Sequence, residues 1–98
     1  MPMNVAEFNA LEREKILDIS ARHGARNVRV FGSVARGAAR PDSDLDLLVD
    51  MEPDSTLLDR IGLVQDLQEA LGRKVDVVTE KSLYWLIRRR ILNEAKPL

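Results

Sequence analysis

Three aspartates carry the strongest chemical signal in the sequence. Asp44 and Asp46 stand two residues apart in the segment Ser43–Asp50, although aspartate is depleted in β-strands. Because side chains alternate across a strand, both carboxylates are expected on one face, about 7 Å apart along it. Asp76 interrupts the apolar run Val75–Val78, where an unpaired buried carboxylate would cost several kcal/mol. Bringing the three carboxylates together requires a cation, so we predict a divalent metal site.

The ligand types narrow the choice of metal. The chain has no cysteine and one histidine, and all-oxygen ligation favours magnesium or manganese over zinc. The alternative is a solvated acidic strand edge, since edge strands use charge against aggregation.

A glycine-serine step precedes the acidic segment and predicts a phosphate site. Gly32 and Ser33 follow an apolar segment directly, and a helical turn that began at Ser33 would point free N–H groups at an anion. The Ser33 hydroxyl and the Arg36 guanidinium could both donate to phosphate oxygens, although Arg36 could equally be a surface charge. The Walker and dinucleotide-binding patterns are absent from the sequence.

These residues need strands and helices to position them, and the sequence predicts alternating elements. The apolar periodicity and the turn residues predict helices over 5–22, 57–71 and 82–94, with Asn4, Ser55 or Thr56, and Ser82 as N-caps. Strands are predicted over 27–31, 44–50 and 74–79, and a loop with one possible helical turn over 32–43. We therefore expect an α/β (α+β) fold, a small mixed sheet of three or slightly more strands covered by helices. The second and third strands should be parallel, while the relation of the first to the second stays open.

Length and composition limit the classes of function. The chain has 98 residues with a net charge of −1, which predicts one domain over residues 1–98 and argues against binding nucleic acid through overall charge. No apolar run approaches a membrane span, so we expect a protein without membrane contact, and the lack of cysteine fits the cytoplasm. Five arginines and no acid lie within 19–41, whereas seven acids and no base lie within 42–59. Such a junction favours a place where phosphate and metal are handled side by side, and the alternative is that a short chain produces such blocks by chance.

The motifs resemble the signature of the polymerase-beta-like nucleotidyltransferase superfamily. Gly32-Ser33, then ten intervening residues, then Asp44-Leu45-Asp46-Leu47 carry the likeness, and Asp76 stands where the third carboxylate is expected. The chain length and the ending 90–95 are similar to the minimal nucleotidyltransferases of prokaryotes, in particular the antitoxins of HEPN and nucleotidyltransferase toxin-antitoxin modules.

The resemblance implies a specific chemistry. It implies that Asp44, Asp46 and Asp76 hold two magnesium ions, that Gly32-Ser33 holds the triphosphate of ATP, and that AMP passes to a tyrosine hydroxyl of a HEPN ribonuclease partner and silences it. No nucleic-acid template is implied. Two alternatives stay open: an antitoxin that neutralises its partner by steric binding, and a two-metal nuclease that uses the same carboxylates.

Several other residues have simpler interpretations. Residues 84–87 (Tyr-Trp-Leu-Ile) are predicted to be the buried face of the last helix, with a partner groove as the alternative. His23 is expected to complement the end of the first helix rather than to act in catalysis. The remaining acids of the acidic segment are predicted to be solvated: Asp42, Asp50, Glu52 and Asp54. The sequence does not decide the role of Arg88, Arg89 and Arg90.

Overall fold

The helices and strands follow the order expected from the sequence. The computed structural model describes residues 10–36 and 44–98, so the predicted cap at Asn4 and the interpretation of Asp42 lie outside the described residues. The helices are α1 (Ala10–Arg22), α2 (Gly32–Ala35), α3 (Leu57–Leu71) and α4 (Trp85–Glu94), and the strands are β1 (Ala25–Phe31), β2 (Leu45–Met51), β3 (Val75–Val78) and β4 (Lys96–Pro97). The predicted fold class, a mixed sheet with helices, is confirmed.

Helix α3 shows how local sequence sets an element's ends. Thr56 accepts a hydrogen bond from the Asp59 amide, and the Asp59 carboxylate accepts one from the Thr56 amide, which forms a capping box. Gly72 ends the helix in the left-handed conformation, with φ of 65°. Leu63 and Leu67 are fully buried, so the helix packs through the face that its periodicity predicts.

Within the described residues, the sheet has four strands in the order β3-β2-β1-β4. Strands β2 and β3 are parallel, as predicted, and α3 forms the crossover between them. Strand β1 runs antiparallel to β2, which settles the relation that the sequence left open. Strand β2 therefore lies between β3 and β1 and is paired along both of its edges.

The two faces of the sheet are covered differently. One face carries aliphatic side chains of all three long strands, including Leu45, Leu47 and Val77, which are at most 7% exposed and belong to one core cluster with residues of α1 and α3. The other face has a smaller buried cluster, formed by Phe31, Leu48 and Ile91 of α4. Because side chains alternate along a strand, Asp46 projects to this second face.

The C-terminal part differs from prediction in three ways. Ser82 does not cap α4, because it closes a 3₁₀ turn (Glu80–Ser82) in which Thr79 and Ser82 cap each other. Tyr84 occupies the N-cap position of α4 without a side-chain cap bond. The two-residue strand β4, which pairs with β1 at Val30, was not predicted, since two residues are too few to give a periodic pattern.

Among the helices of the described residues, none is long and apolar enough to cross a membrane.

Candidate active site

The parallel pairing of β2 and β3 places two of the three predicted carboxylates side by side. Asp46 and Asp76 are direct partners in the register, so their side chains lie on the same face of adjacent strands, whose backbones are about 4.8 Å apart. Asp44 lies just before β2 and is exposed. Asp76 is also exposed, so the prediction that it is buried was wrong. Its position beside Asp46 is the expected one.

The pKa of Asp46 is affected by burial and by the neighbouring carboxylates. Burial raises the pKa of Asp46 above its ordinary value, and the negative charges of Asp76 and Asp44 raise it further. The positive charge of Arg36 lowers the pKa of Asp46 but does not cancel these effects. The site therefore has an excess of negative charge that a cation would relieve.

These carboxylates suit a hard divalent cation in their chemistry, since all three offer oxygen atoms. In residues 10–36 and 44–98, however, no three acidic or histidine side chains are already gathered closely enough to hold one ion. The excess of negative charge at Asp46 is the observation in favour of a metal.

The glycine-serine step lies directly beside Asp46. Phe31, the last residue of β1, pairs with Asp46 in the sheet, and Gly32 follows with φ of +74°. A Cβ atom at Gly32 would collide with the Asp46 carboxylate, so only glycine permits this approach. The predicted helical turn is present as α2, which begins at Gly32 and contains Ser33. The predicted phosphate site at Gly32 and Ser33 is therefore directly adjacent to the predicted metal site at Asp46.

Arg36 follows α2 and has a partner that the sequence analysis missed. Its Nη1 atom lies 2.7 Å from Oε1 of Glu94, at the end of α4, and Oε2 of Glu94 accepts a hydrogen bond of 3.1 Å from the Gly32 amide. Burial alone would raise the pKa of Glu94, but the hydrogen bonds from Arg36 and Gly32, with the charges of Arg36 and Arg90, hold it below its ordinary value. One signal was in the sequence: an acid in the last turn of a helix opposes the helix dipole, which indicates a tertiary partner.

The first turns of α4 are exposed, contrary to the predicted buried face. The side chains of Tyr84, Trp85, Leu86 and Ile87 are 45–71% exposed, and the rings of Tyr84 and Trp85 lie 6.0 Å apart. Only Ile91 of α4 is buried. A cavity of about 210 Å³ connects this helix to the glycine-serine turn, lined by Phe31, Gly32, Arg36, Ile87, Arg90, Ile91 and Glu94.

The junction between basic and acidic segments has a partly structural explanation. Arg29 of β1 forms ion pairs with Asp50 of β2, at 3.0 Å, and with Glu80, at 3.1 Å. Arg26 pairs with Glu52 at 3.3 Å. The prediction that Asp50 and Glu52 are simply solvated is therefore wrong. Antiparallel pairing places the basic and the acidic segments side by side, so both acids form ion pairs. These acids help to line a separate cavity of about 440 Å³ at the far end of β2.

His23 lies away from the carboxylates. It follows α1, and its Nε2 atom is 2.6 Å from Oδ2 of Asp66 in α3. The pair joins two helices that cover the opposite face of the sheet, which is consistent with the non-catalytic interpretation.

Comparison with known proteins decides the family. The nucleotidyltransferase domain family matches residues 13–98. The chain belongs to this family. It is an enzyme of the nucleotidyltransferase class, as the resemblance in the sequence implied.

Two relatives show how close the likeness is. A candidate protein adenylyltransferase of Methanocaldococcus jannaschii is 41% identical over 93 residues, which cover 95% of this chain and 96% of the relative. The protein adenylyltransferase MntA of Thermococcus cleftensis is 43% identical over 77 residues, which cover 79% of this chain and 78% of MntA.

Solved structures share the nucleotidyltransferase fold. A structure described as a candidate minimal nucleotidyltransferase superimposes with a TM-score of 0.81 at 50% identity, over 98% of this chain and 97% of that one. The MNT antitoxin in complex with a tri-AMPylated HEPN toxin of Shewanella oneidensis gives a TM-score of 0.68 at 22% identity, over 89% of this chain and 68% of that one. At that identity, the likeness to the antitoxin complex shows the fold alone.

Proposed function

We propose that this nucleotidyltransferase transfers AMP from ATP to a tyrosine hydroxyl of a HEPN toxin and thereby acts as its antitoxin in the cytoplasm. The observation that carries the proposal is the pairing of Asp46 with Asp76 next to Gly32. A reacting phosphate placed there would meet carboxylates on one side and the glycine-serine turn on the other. Relatives named as protein adenylyltransferases support the acceptor class.

The proposed reaction breaks a phosphoanhydride bond of ATP and forms a phosphoester bond to the acceptor. The acceptor hydroxyl oxygen forms a bond to the α-phosphorus of ATP, the bond from that phosphorus to the bridging oxygen breaks, and pyrophosphate leaves. The hydroxyl proton passes to the Asp76 carboxylate, which is exposed and can release it to water. The products are AMP-modified protein and pyrophosphate.

Residues of the turn would hold and orient the triphosphate. The Ser33 hydroxyl has no hydrogen-bond partner among the described residues, and Arg36 is half-exposed with donor groups beyond the one that Glu94 engages. Because α2 is short and its Val34 and Ala35 are buried in the core, the turn is fixed by packing. A fixed turn lowers the entropic cost of aligning the phosphate with the incoming hydroxyl.

Asp44, Asp46 and Asp76 are the residues that would hold two magnesium ions. When bound, such ions lower the pKa of an attacking hydroxyl and offset the charge of the departing pyrophosphate. Burial and the negative charges of Asp76 and Asp44 raise the pKa of Asp46, which supports this assignment because a bound cation would offset both effects.

The exposed start of α4 is the surface that we assign to the toxin. We define the α4 patch as residues 84–87, and three exposed arginines follow it directly: Arg88, Arg89 and Arg90. Ile87 and Arg90 also line the cavity beside Gly32, so a protein docked on the patch would lie next to the proposed phosphate site. The arginines favour a partner whose surface combines apolar and acidic side chains.

Labelled ATP tests the proposal. In the presence of magnesium, the chain should transfer label from the α-phosphate to its cognate HEPN toxin, and the double variant Asp44→Asn with Asp46→Asn should not. The label should map to a tyrosine on the toxin. Equal labelling by the double variant would refute the assigned site.

Toxin neutralisation in cells separates the alternatives. If the double variant still neutralises the toxin in cells, steric binding rather than AMP transfer is the antitoxin mechanism. If the chain alone cleaves RNA without any nucleotide, the two-metal nuclease is the correct assignment.

A further inference from the structure

Glu94 stands at an unusual place for a carboxylate. It is the last residue of α4, where the helix dipole disfavours negative charge. Its side chain is nevertheless only 17% exposed, and both of its oxygens are engaged, one by Arg36 and the other by the Gly32 amide. These contacts join two segments that lie about 60 residues apart in the sequence.

The backbone around Glu94 is fixed on both sides. One turn earlier, Ile91 is buried with Phe31 and Leu48. Directly after it, the chain enters β4, which pairs with β1, and the Leu98 amide donates to the Val28 carbonyl. Glu94 is therefore presented to the glycine-serine turn from a rigid support rather than from a mobile tail.

One contact of Glu94 is to Arg36, which the proposed function assigns to the triphosphate, and the other is to the amide that begins the glycine-serine turn. A guanidinium has five N–H donors, and the structure shows one Arg36 nitrogen engaged by Glu94. Holding that nitrogen fixes the plane of the guanidinium and leaves other donors for phosphate oxygens. A side chain that is ordered before binding loses less entropy when the ligand arrives.

We infer that Glu94 is a positioning residue for nucleotide binding, which acts by orienting the Arg36 guanidinium for the triphosphate and by fixing the start of the glycine-serine turn through the Gly32 amide. The inference rests on the proposed function. It makes the end of α4 part of the ATP site, although Glu94 itself does not contact the nucleotide. The opposite role, a carboxylate that occupies the phosphate position and must be displaced, predicts an effect of opposite sign.

Calorimetric titration of ATP with magnesium into the purified chain distinguishes these roles. Glu94→Gln keeps an oxygen for the Gly32 amide and removes the charge that holds Arg36. We expect its Kd for ATP to rise by roughly three- to ten-fold. The matched control is Glu52→Gln, which breaks the Arg26 ion pair elsewhere on the sheet and should leave the Kd unchanged.

A double-mutant cycle tests whether Glu94 acts through Arg36. Arg36→Ala removes the half-exposed partner of Glu94 and leaves the sequence of α4 unchanged. This variant therefore still tests the contact if Glu94→Gln is poorly folded. In the Arg36→Ala background, Glu94→Gln should change the Kd by less than about two-fold. An equal loss in both backgrounds would overturn the inference, and tighter ATP binding by Glu94→Gln would assign the displaced-carboxylate role instead.

The outcomes also separate this inference from the proposed function. If the unmodified chain binds ATP and Glu94→Gln binds it equally well, only the role of Glu94 is overturned. If the unmodified chain binds no ATP, the proposed function itself is wrong, and the inference falls with it.

Discussion

The two faces of the sheet differ in what their side chains do: one face is filled by buried apolar groups, and the other carries neighbouring carboxylates. On the face under α1 and α3, residues such as Leu45 and Leu47 are completely buried, and packing fills the space. On the other face, the same strand carries Asp46, whose partner on β3 is another carboxylate, Asp76. Because side chains alternate along β2, fully buried leucines and a carboxylate that is repelled by its neighbour occupy successive positions.

The difference shows where stability and function reside. The apolar face accounts for most of the buried core, so it can support a destabilising cluster of charges opposite. Active sites commonly carry such costs, because groups arranged for a ligand repel one another without it. Helix α4 covers only part of the charged face, where Ile91 packs, and leaves the carboxylates open to a large substrate.

The largest effect is expected from Asp46→Asn. AMP transfer should fall by about a thousand-fold or more, equivalent to about 4 kcal/mol in the activation barrier. The melting temperature at neutral pH should rise: because the pKa of Asp46 is raised in the folded state, its ionised form costs stability above that pKa, and the amide removes this cost. Thermal unfolding and a labelling assay measure the two effects.

Asp50→Asn is the matched control on the same strand and face. It removes the partner of Arg29 and Asn27, so it should lower the melting temperature and leave the AMP transfer rate unchanged. If Asp50→Asn were the inactive variant and Asp46→Asn the active one, the reacting groups would lie at the other end of β2.

Leu47→Ala probes the adjacent position on the apolar face. The side chain is 0% exposed, so its truncation should lower the free energy of unfolding by about 2–5 kcal/mol. Denaturant titration gives this value, while the AMP transfer rate per folded molecule should stay the same. Leu58→Ala, at a position that is 77% exposed, should change the free energy of unfolding by less than about 0.5 kcal/mol.

Trp85→Ala tests the open side of the charged face. The Trp85 side chain is 71% exposed, so the melting temperature should not change, whereas the Kd for the HEPN toxin should rise about ten-fold or more. Leu58→Ala is again the comparison, because it removes an exposed apolar side chain from the helix over the other face. A toxin interaction that depends on Leu58 and not on Trp85 would move the docking surface to α3.

The smallest effect concerns the pH dependence of Glu94→Gln. The folded-state pKa of Glu94 lies below its ordinary value, so the stability it contributes is present above the unfolded-state pKa and is lost as pH falls through the folded-state pKa. At neutral pH the variant should be less stable by about 1 kcal/mol. The difference should shrink as the pH enters the acid range, and a constant difference would show that the charge of Glu94 is not involved.

Local patterns predicted the elements that position the site. The Asp44 and Asp46 spacing, the valines around Asp76 and the glycine at 32 were sufficient to predict two adjacent strands and a turn, because each depends on neighbours in the sequence. The adjacency of Asp46 and Asp76 followed from expecting a parallel crossover through α3. The family resemblance was carried by the same few residues.

Long-range contacts were the part that the sequence did not reveal. The periodicity of α4 predicted an apolar face, but whether such a face is buried depends on what lies opposite, and the described fold places only Ile91 against the sheet. The Glu94 contacts join segments that no local rule relates. Likewise, the valines flanking Asp76 indicated burial, although the Asp76 side chain projects to the open face and is exposed.

A crystal structure with manganese and a non-hydrolysable ATP analogue tests the central claim most directly, because manganese gives anomalous scattering and accepts the same oxygen ligands as magnesium. We expect anomalous peaks in contact with Asp44, Asp46 and Asp76, and the triphosphate against Ser33. Manganese bound in the distal cavity beside Asp50 and Glu80, with none at Asp46, would contradict the proposed active site.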